Sequence, residues 1–128
     1  FFLGNGCTLT IEDGKQVIGW LSLMNVGDIV NVPISHGEGR FFASEALALE
    51  LAKNGQIATQ YVDLKGEPTM DAAFNPNGSL FAIEGITSPD GRVLGKMGHS
   101  ERIGKGLYKN VPGEYDIRMF EAAVKYFK

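Results

Sequence analysis

Glycine recurs 17 times in 128 residues, and this spacing breaks the chain into short elements separated by tight turns. Such punctuation suits an α/β or α+β domain. Neither an internal repeat nor a low-complexity linker interrupts the chain, so it reads as one unit with a core of modest size.

Between the glycines, periodicity assigns the elements. Residues 17–26 form an apolar run rich in Val, Ile, Leu and Trp, which reads as a strand. A second apolar run, 29–34, contains Pro33. A proline cannot donate to a ladder, so this strand belongs at an edge or ends there. It delivers Ser35-His36-Gly37-Glu38-Gly39-Arg40 into a loop. The spacing then predicts a helix over 44–53, with Ser44 as N-cap and Glu45 at its positive end. Leu47 with Leu51 and Ala48 with Ala52 form its buried stripe, and Gly55 supplies the left-handed residue that closes it. Strands follow at 56–62, 80–87 and 92–97. Asn75-Pro76-Asn77-Gly78-Ser79 and Pro89-Asp90-Gly91 are turns, the second a hairpin connection. A last helix starts near Asp116 as N-cap, with Tyr115 and Phe120 spaced as a hydrophobic staple. Ile117, Phe120, Val124 and Phe127 should face the sheet.

Composition excludes several classes. The formal charge is −3 with the basic residues scattered, which argues against a nucleic-acid surface. One cysteine, Cys7, permits no intrachain disulfide and points to a reducing, cytoplasmic setting. No apolar run approaches the roughly 20 residues that span a bilayer. The chain starts at Phe1 rather than Met, and it is expected to be a portion of something longer.

Only two histidines exist, and both stand in the same pattern: His36-Gly37-Glu38 and His99-Ser100-Glu101. In extended backbone, positions i and i+2 project to the same side. A glutamate so placed can accept a ring N–H and fix the tautomer of an imidazole that acts as general base. Coincidental H-x-E pairs are common. His36, Glu38, His99 and Glu101 could also make an N₂O₂ metal set, although no pair has the helical spacing of the familiar zinc motif. Cys7 is a nucleophile only if a histidine meets it in space. Gly104-Lys105-Gly106 lacks the spacing of a phosphate loop.

Five segments carry a resemblance. They are Val32-Pro33-Ile34-Ser35-His36-Gly37-Glu38-Gly39-Arg40-Phe41, Asn54-Gly55-Gln56-Ile57-Ala58-Thr59-Gln60-Tyr61-Val62-Asp63, Asn75-Pro76-Asn77-Gly78-Ser79, Ile83-Glu84-Gly85-Ile86-Thr87-Ser88-Pro89-Asp90-Gly91-Arg92 and Val93-Leu94-Gly95-Lys96-Met97-Gly98-His99-Ser100-Glu101-Arg102. In order and spacing they resemble the C-terminal glutaminase (class I glutamine amidotransferase) domain of the phosphoribosylformylglycinamidine synthase family. The resemblance implies an α/β, flavodoxin-like domain whose C-terminal part is a strand-rich mixed sheet with at least two helices. The expected organisation is one partial domain over 1–128. In it, 26–128 is the family-like portion and 1–25 an N-terminal segment whose conformation the resemblance leaves open.

The resemblance also implies a mechanism. In that family a cysteine thiolate attacks the side-chain amide of glutamine, and an H-x-E pair completes the triad. The ammonia passes to a synthetase region, where ATP activates formylglycinamide ribonucleotide for conversion to the amidine in purine biosynthesis. His99 and Glu101 match the H-x-E pair, and Ser35, His36, Gly37 and Glu38 match a segment lining the glutamine site. No metal or cofactor is implied for this chain itself, since ATP and Mg belong to the synthetase region. The family's nucleophile lies in a Gly-rich elbow between strand and helix. Cys7 is followed by Thr8-Leu9-Thr10, which resembles a segment downstream of that elbow, so the resemblance assigns Cys7 no nucleophilic role. The chain is then expected to be inactive alone. The alternative is a catalytically dead module for binding or assembly. The expected partners are glutamine, the synthetase region and, through exposed sheet surface, further copies of the chain.

Overall fold

The computed structural model describes residues 2–9, 18–23, 27–34, 39–105, 107 and 115–128. Five strands form one sheet: β1 (Phe2–Leu9), β2 (Ile29–Ile34), β3 (Ile57–Tyr61), β4 (Ile83–Thr87) and β5 (Leu94–Lys96). Their order is β2-β1-β3-β4-β5, and the four pairings are antiparallel. Among the described residues three α-helices accompany them: α1 (Ile18–Leu21), α2 (Glu45–Lys53) and α3 (Met119–Phe127). The expected strand-rich sheet with at least two helices is present.

The alternation of β3 divides the core. Ala58 joins Val30 and Val32 of β2, Leu21 of α1, and Ile117 and Met119 at the start of α3. Its neighbour Ile57 joins Ile83 of β4 and Ala48 of α2. Successive strand residues point to opposite faces, so α2 covers one face of the sheet while α1 and α3 cover the other. α2 forms as its sequence dictates. Ser44 Oγ accepts the amide of Leu47 at 3.2 Å, Glu45 lies in the first turn and Lys53 in the last, and Gly55 has φ 69°. Its buried stripe is narrower than expected. Ala48 is buried and Leu51 half-buried, both in the cluster with Ile57 and Ile83, whereas Leu47 and Ala52 are exposed.

Four expectations need correction. The apolar run at 17–26 contains α1, not a strand. A short apolar run is ambiguous between the two by periodicity alone, and here packing against α3 decides it, with Trp20 and Phe127 ring centroids 5.9 Å apart. The strand expected from residue 80 begins at Ile83, because Leu80–Ala82 is a 3₁₀ turn in which Phe81 and Ala82 have φ of 52° and 59°. The strand expected over 92–97 shortens to Leu94–Lys96, since the backbone of Val93 closes the hairpin by accepting the amide of Ser88 at 2.9 Å. The last helix starts at Met119, and Arg118 rather than Asp116 precedes it as cap. The Asp116 carboxylate instead accepts the Arg118 amide at 2.9 Å. In this helix Met119, Ala122 and Ala123 are buried while Phe120 and Val124 are exposed. The Tyr115–Phe120 staple therefore does not bury Phe120.

Pro33 sits in β2, at one end of the strand order, as its missing N–H requires. Its carbonyl accepts the amide of His99 at 2.8 Å. His99 follows β5, at the other end of the order, so the two sheet edges are tied together where the histidine loop begins.

Candidate active site

β5 ends at Lys96, and the chain turns through Met97, Gly98 and His99. Met97 is still anchored to β4, its amide donating to the Glu84 carbonyl at 2.9 Å. Gly98 is a glycine because the loop lies directly on β2. A β-carbon there would collide with Val32 Cγ2 and stand 2.9 Å from Glu84 Oε1. Beyond it, His99 Nδ1 lies 2.7 Å from Glu101 Oε1. An ionised carboxylate only accepts hydrogen bonds, so Nδ1 carries a proton, which in the neutral ring leaves Nε2 as the acceptor. The hydrogen bond from His99 holds the Glu101 carboxyl below its usual range, helped by its own backbone amide and by the charges of His99 and Arg102. Arg102 Nε stands 3.8 Å from Glu101 Oε1. The side chains of His99 and Glu101 are 30% and 51% exposed, so the pair is open to solvent. Glu101 borders a cleft of about 340 Å³ between this loop and the start of α3, shared with Ser100, Ile103, Arg118 and Met119.

Behind the loop lies a cluster that inspection of the sequence did not single out. Glu84 is buried in β4 and bonds Lys96 Nζ at 2.9 Å, the Gly98 amide at 2.7 Å and the Thr59 hydroxyl. The signal was a lone glutamate inside an apolar strand followed by a lysine in the next. Pairing them needed the strand register. Gly85 lets the three side chains converge, since a β-carbon there would stand 2.7 Å from Thr59 Oγ1 and 3.3 Å from Lys96 Cβ.

The other singled-out residues fall differently. Ser35, His36, Gly37 and Glu38 lie outside the described residues, and with them half of the alternative metal set. Among the described residues no group of three or more His, Cys, Asp or Glu could hold a metal ion. Cys7 lies within β1, paired with Val30 on one side and Tyr61 on the other. Among the described residues no helix is long and apolar enough to cross a membrane.

The model of the CobB/CobQ-like glutamine amidotransferase domain matches residues 6–127. The chain belongs to this family. The amidotransferase chain is 41% identical over 124 residues to phosphoribosylformylglycinamidine synthase subunit PurQ of Trichormus variabilis, covering 97% of this chain and 49% of that protein. It is 39% identical over 112 residues to the subunit of the same name from Synechocystis sp., covering 88% and 48%. To that of Methanococcus maripaludis it is 44% identical over 92 residues, covering 71% and 33%. The chain thus spans about a third to a half of the length of these curated relatives.

Proposed function

We propose that this chain supplies part of the glutaminase of a phosphoribosylformylglycinamidine synthase, a cytoplasmic enzyme of purine biosynthesis. Glutamine is the substrate, and the ammonia released serves a synthetase partner that uses ATP to convert formylglycinamide ribonucleotide to the amidine. The observation that carries this reading is the 2.7 Å contact between His99 Nδ1 and Glu101 Oε1 on an open loop, in a chain of an amidotransferase family. Glu101 orients the imidazole and stabilises its charged form. The free Nε2 takes the proton of a cysteine thiol and later gives it to the departing ammonia. The cleft beside Glu101 has the volume for a small amino acid. His36 and its neighbours Ser35, Gly37 and Glu38 line the glutamine site in a supporting role.

The thiolate comes from outside this chain in the proposal. Cys7 lies inside a paired strand rather than at a strand-to-helix turn of the kind that exposes a nucleophile and supplies oxyanion donors. The test is glutamate release from glutamine by the purified chain, with Cys7→Ser and His99→Ala beside it. No saturable turnover is expected, and none is altered by Cys7→Ser. Turnover by the parent chain that both substitutions abolish would make Cys7 the nucleophile. Self-association is part of the same proposal. It is supported by the exposed Phe120, Val124 and Phe127 of α3 rather than by bare sheet, and light scattering that gives a strict monomer at high concentration would remove it.

A further inference from the structure

Among the described residues, the backbone of the His99 loop is held by the Met97 amide on the Glu84 carbonyl, the His99 amide on the Pro33 carbonyl and the Arg102 amide on the His99 carbonyl. What else holds it is Lys96. Its ammonium donates to Glu84 Oε1 at 2.9 Å, to the Gly98 carbonyl at 3.2 Å and to Ser100 Oγ at 3.0 Å, which uses the three protons an ammonium has. Glu84 in turn accepts the Gly98 amide at 2.7 Å. The pair therefore grips both backbone polar groups of the residue before His99 and the side chain of the residue after it. Its side chains are 9% and 0% exposed. A buried ion pair is a poor source of stability compared with apolar packing. Two of the bonds its ammonium makes, to the Gly98 carbonyl and to Ser100 Oγ, go to this loop.

We propose that Glu84 and Lys96 are positioning residues for the general base, fixing the loop so that His99 presents Nδ1 to Glu101 and Nε2 outward. The inference rests on the reading of His99 and Glu101 given above, and it is tested without enzyme activity. The chain has two histidines, so ¹⁵N imidazole spectra of the 128-residue protein are readily assigned with His36→Asn. The parent protein should show His99 protonated at Nδ1 and bonded to carboxylate. In Lys96→Met, and in the charge-neutral double variant Glu84→Gln/Lys96→Met, that population should fall roughly tenfold, the effect of one lost charge-assisted hydrogen bond. The double variant separates positioning from mere support, because it removes the uncompensated charge but not the gap beside Ser100. If it is folded, by its melting curve, and the His99 signal is unchanged, the proposal is overturned. Should both Lys96 variants fail to fold, Ser100→Ala decides: a weakened signal upholds the proposal and an unchanged one overturns it. A parent protein that lacks the Nδ1–carboxylate signal would instead remove the functional reading itself.

Discussion

Two acid–base pairs stand within a few residues of each other and have almost the same length. Lys96 Nζ meets Glu84 Oε1 at 2.9 Å, and His99 Nδ1 meets Glu101 Oε1 at 2.7 Å. Burial separates them. The first pair is withdrawn from solvent and its remaining bonding capacity goes to the backbone and side chains around it. The second has a side chain half exposed and a ring nitrogen left free of the carboxylate. Distance alone would rank them together. Their surroundings make the first a fixed part of the architecture and leave the second open to solvent, as the proposed proton transfer requires.

The comparison is broken most forcefully by removing one member of each pair. Lys96→Met leaves the buried Glu84 charge alone, and losing one partner of a buried pair costs about 3–5 kcal/mol. His99→Ala removes a partly exposed side chain and should change stability by less than about 0.5 kcal/mol. Urea unfolding of the two variants checks this, and equal losses would erase the distinction. Gly98→Ala comes next, since Gly98 lies between the pairs. The new methyl group must displace the stiff, buried Val32 or the Glu84 carboxylate, a crowding that costs about 1–3 kcal/mol. A variant as stable as the parent would show that the loop does not rest on β2.

The smallest effect is one of pH. The folded protein holds the Glu101 carboxyl below its usual range, chiefly through the His99 hydrogen bond. The stability this lends is complete above the ordinary glutamate range and is lost as pH falls through the lowered folded value. Comparing acid unfolding of the parent with Glu101→Gln should reveal a shallow difference confined to that acidic window, and one that salt reduces. A difference that grows above neutral pH would contradict the assignment.

How much of this was legible beforehand differs between the same two pairs. His99 and Glu101 are two residues apart, so a local pattern brings them together. Glu84 and Lys96 meet only after the Pro89-Asp90-Gly91 turn, the register of β4 on β5 and the glycine at position 85 are all in place. The fold divides likewise. α2 could be read because Ser44, Glu45, Lys53 and Gly55 mark both ends with local chemistry. α1 could not, because an apolar stretch containing Ile18, Trp20 and Leu21 suits a strand or a helix until α3 is seen to pack on it. On α3 the apolar residues run around more than one face, so spacing alone did not tell Phe120 and Val124 from Met119, Ala122 and Ala123, which form the buried side.

The central claim, that the exposed pair does the chemistry, is tested most directly by glutamate release from glutamine in a complete enzyme that contains this chain, assembled with the synthetase partner proposed above. His99→Ala should lower kcat by roughly 10²–10⁴, as expected for loss of a general base. Glu101→Gln, which keeps the shape but not the charge, should also lower kcat while the KM for glutamine stays near its parent value. A His99→Ala enzyme that hydrolyses glutamine at the parent rate would contradict the account.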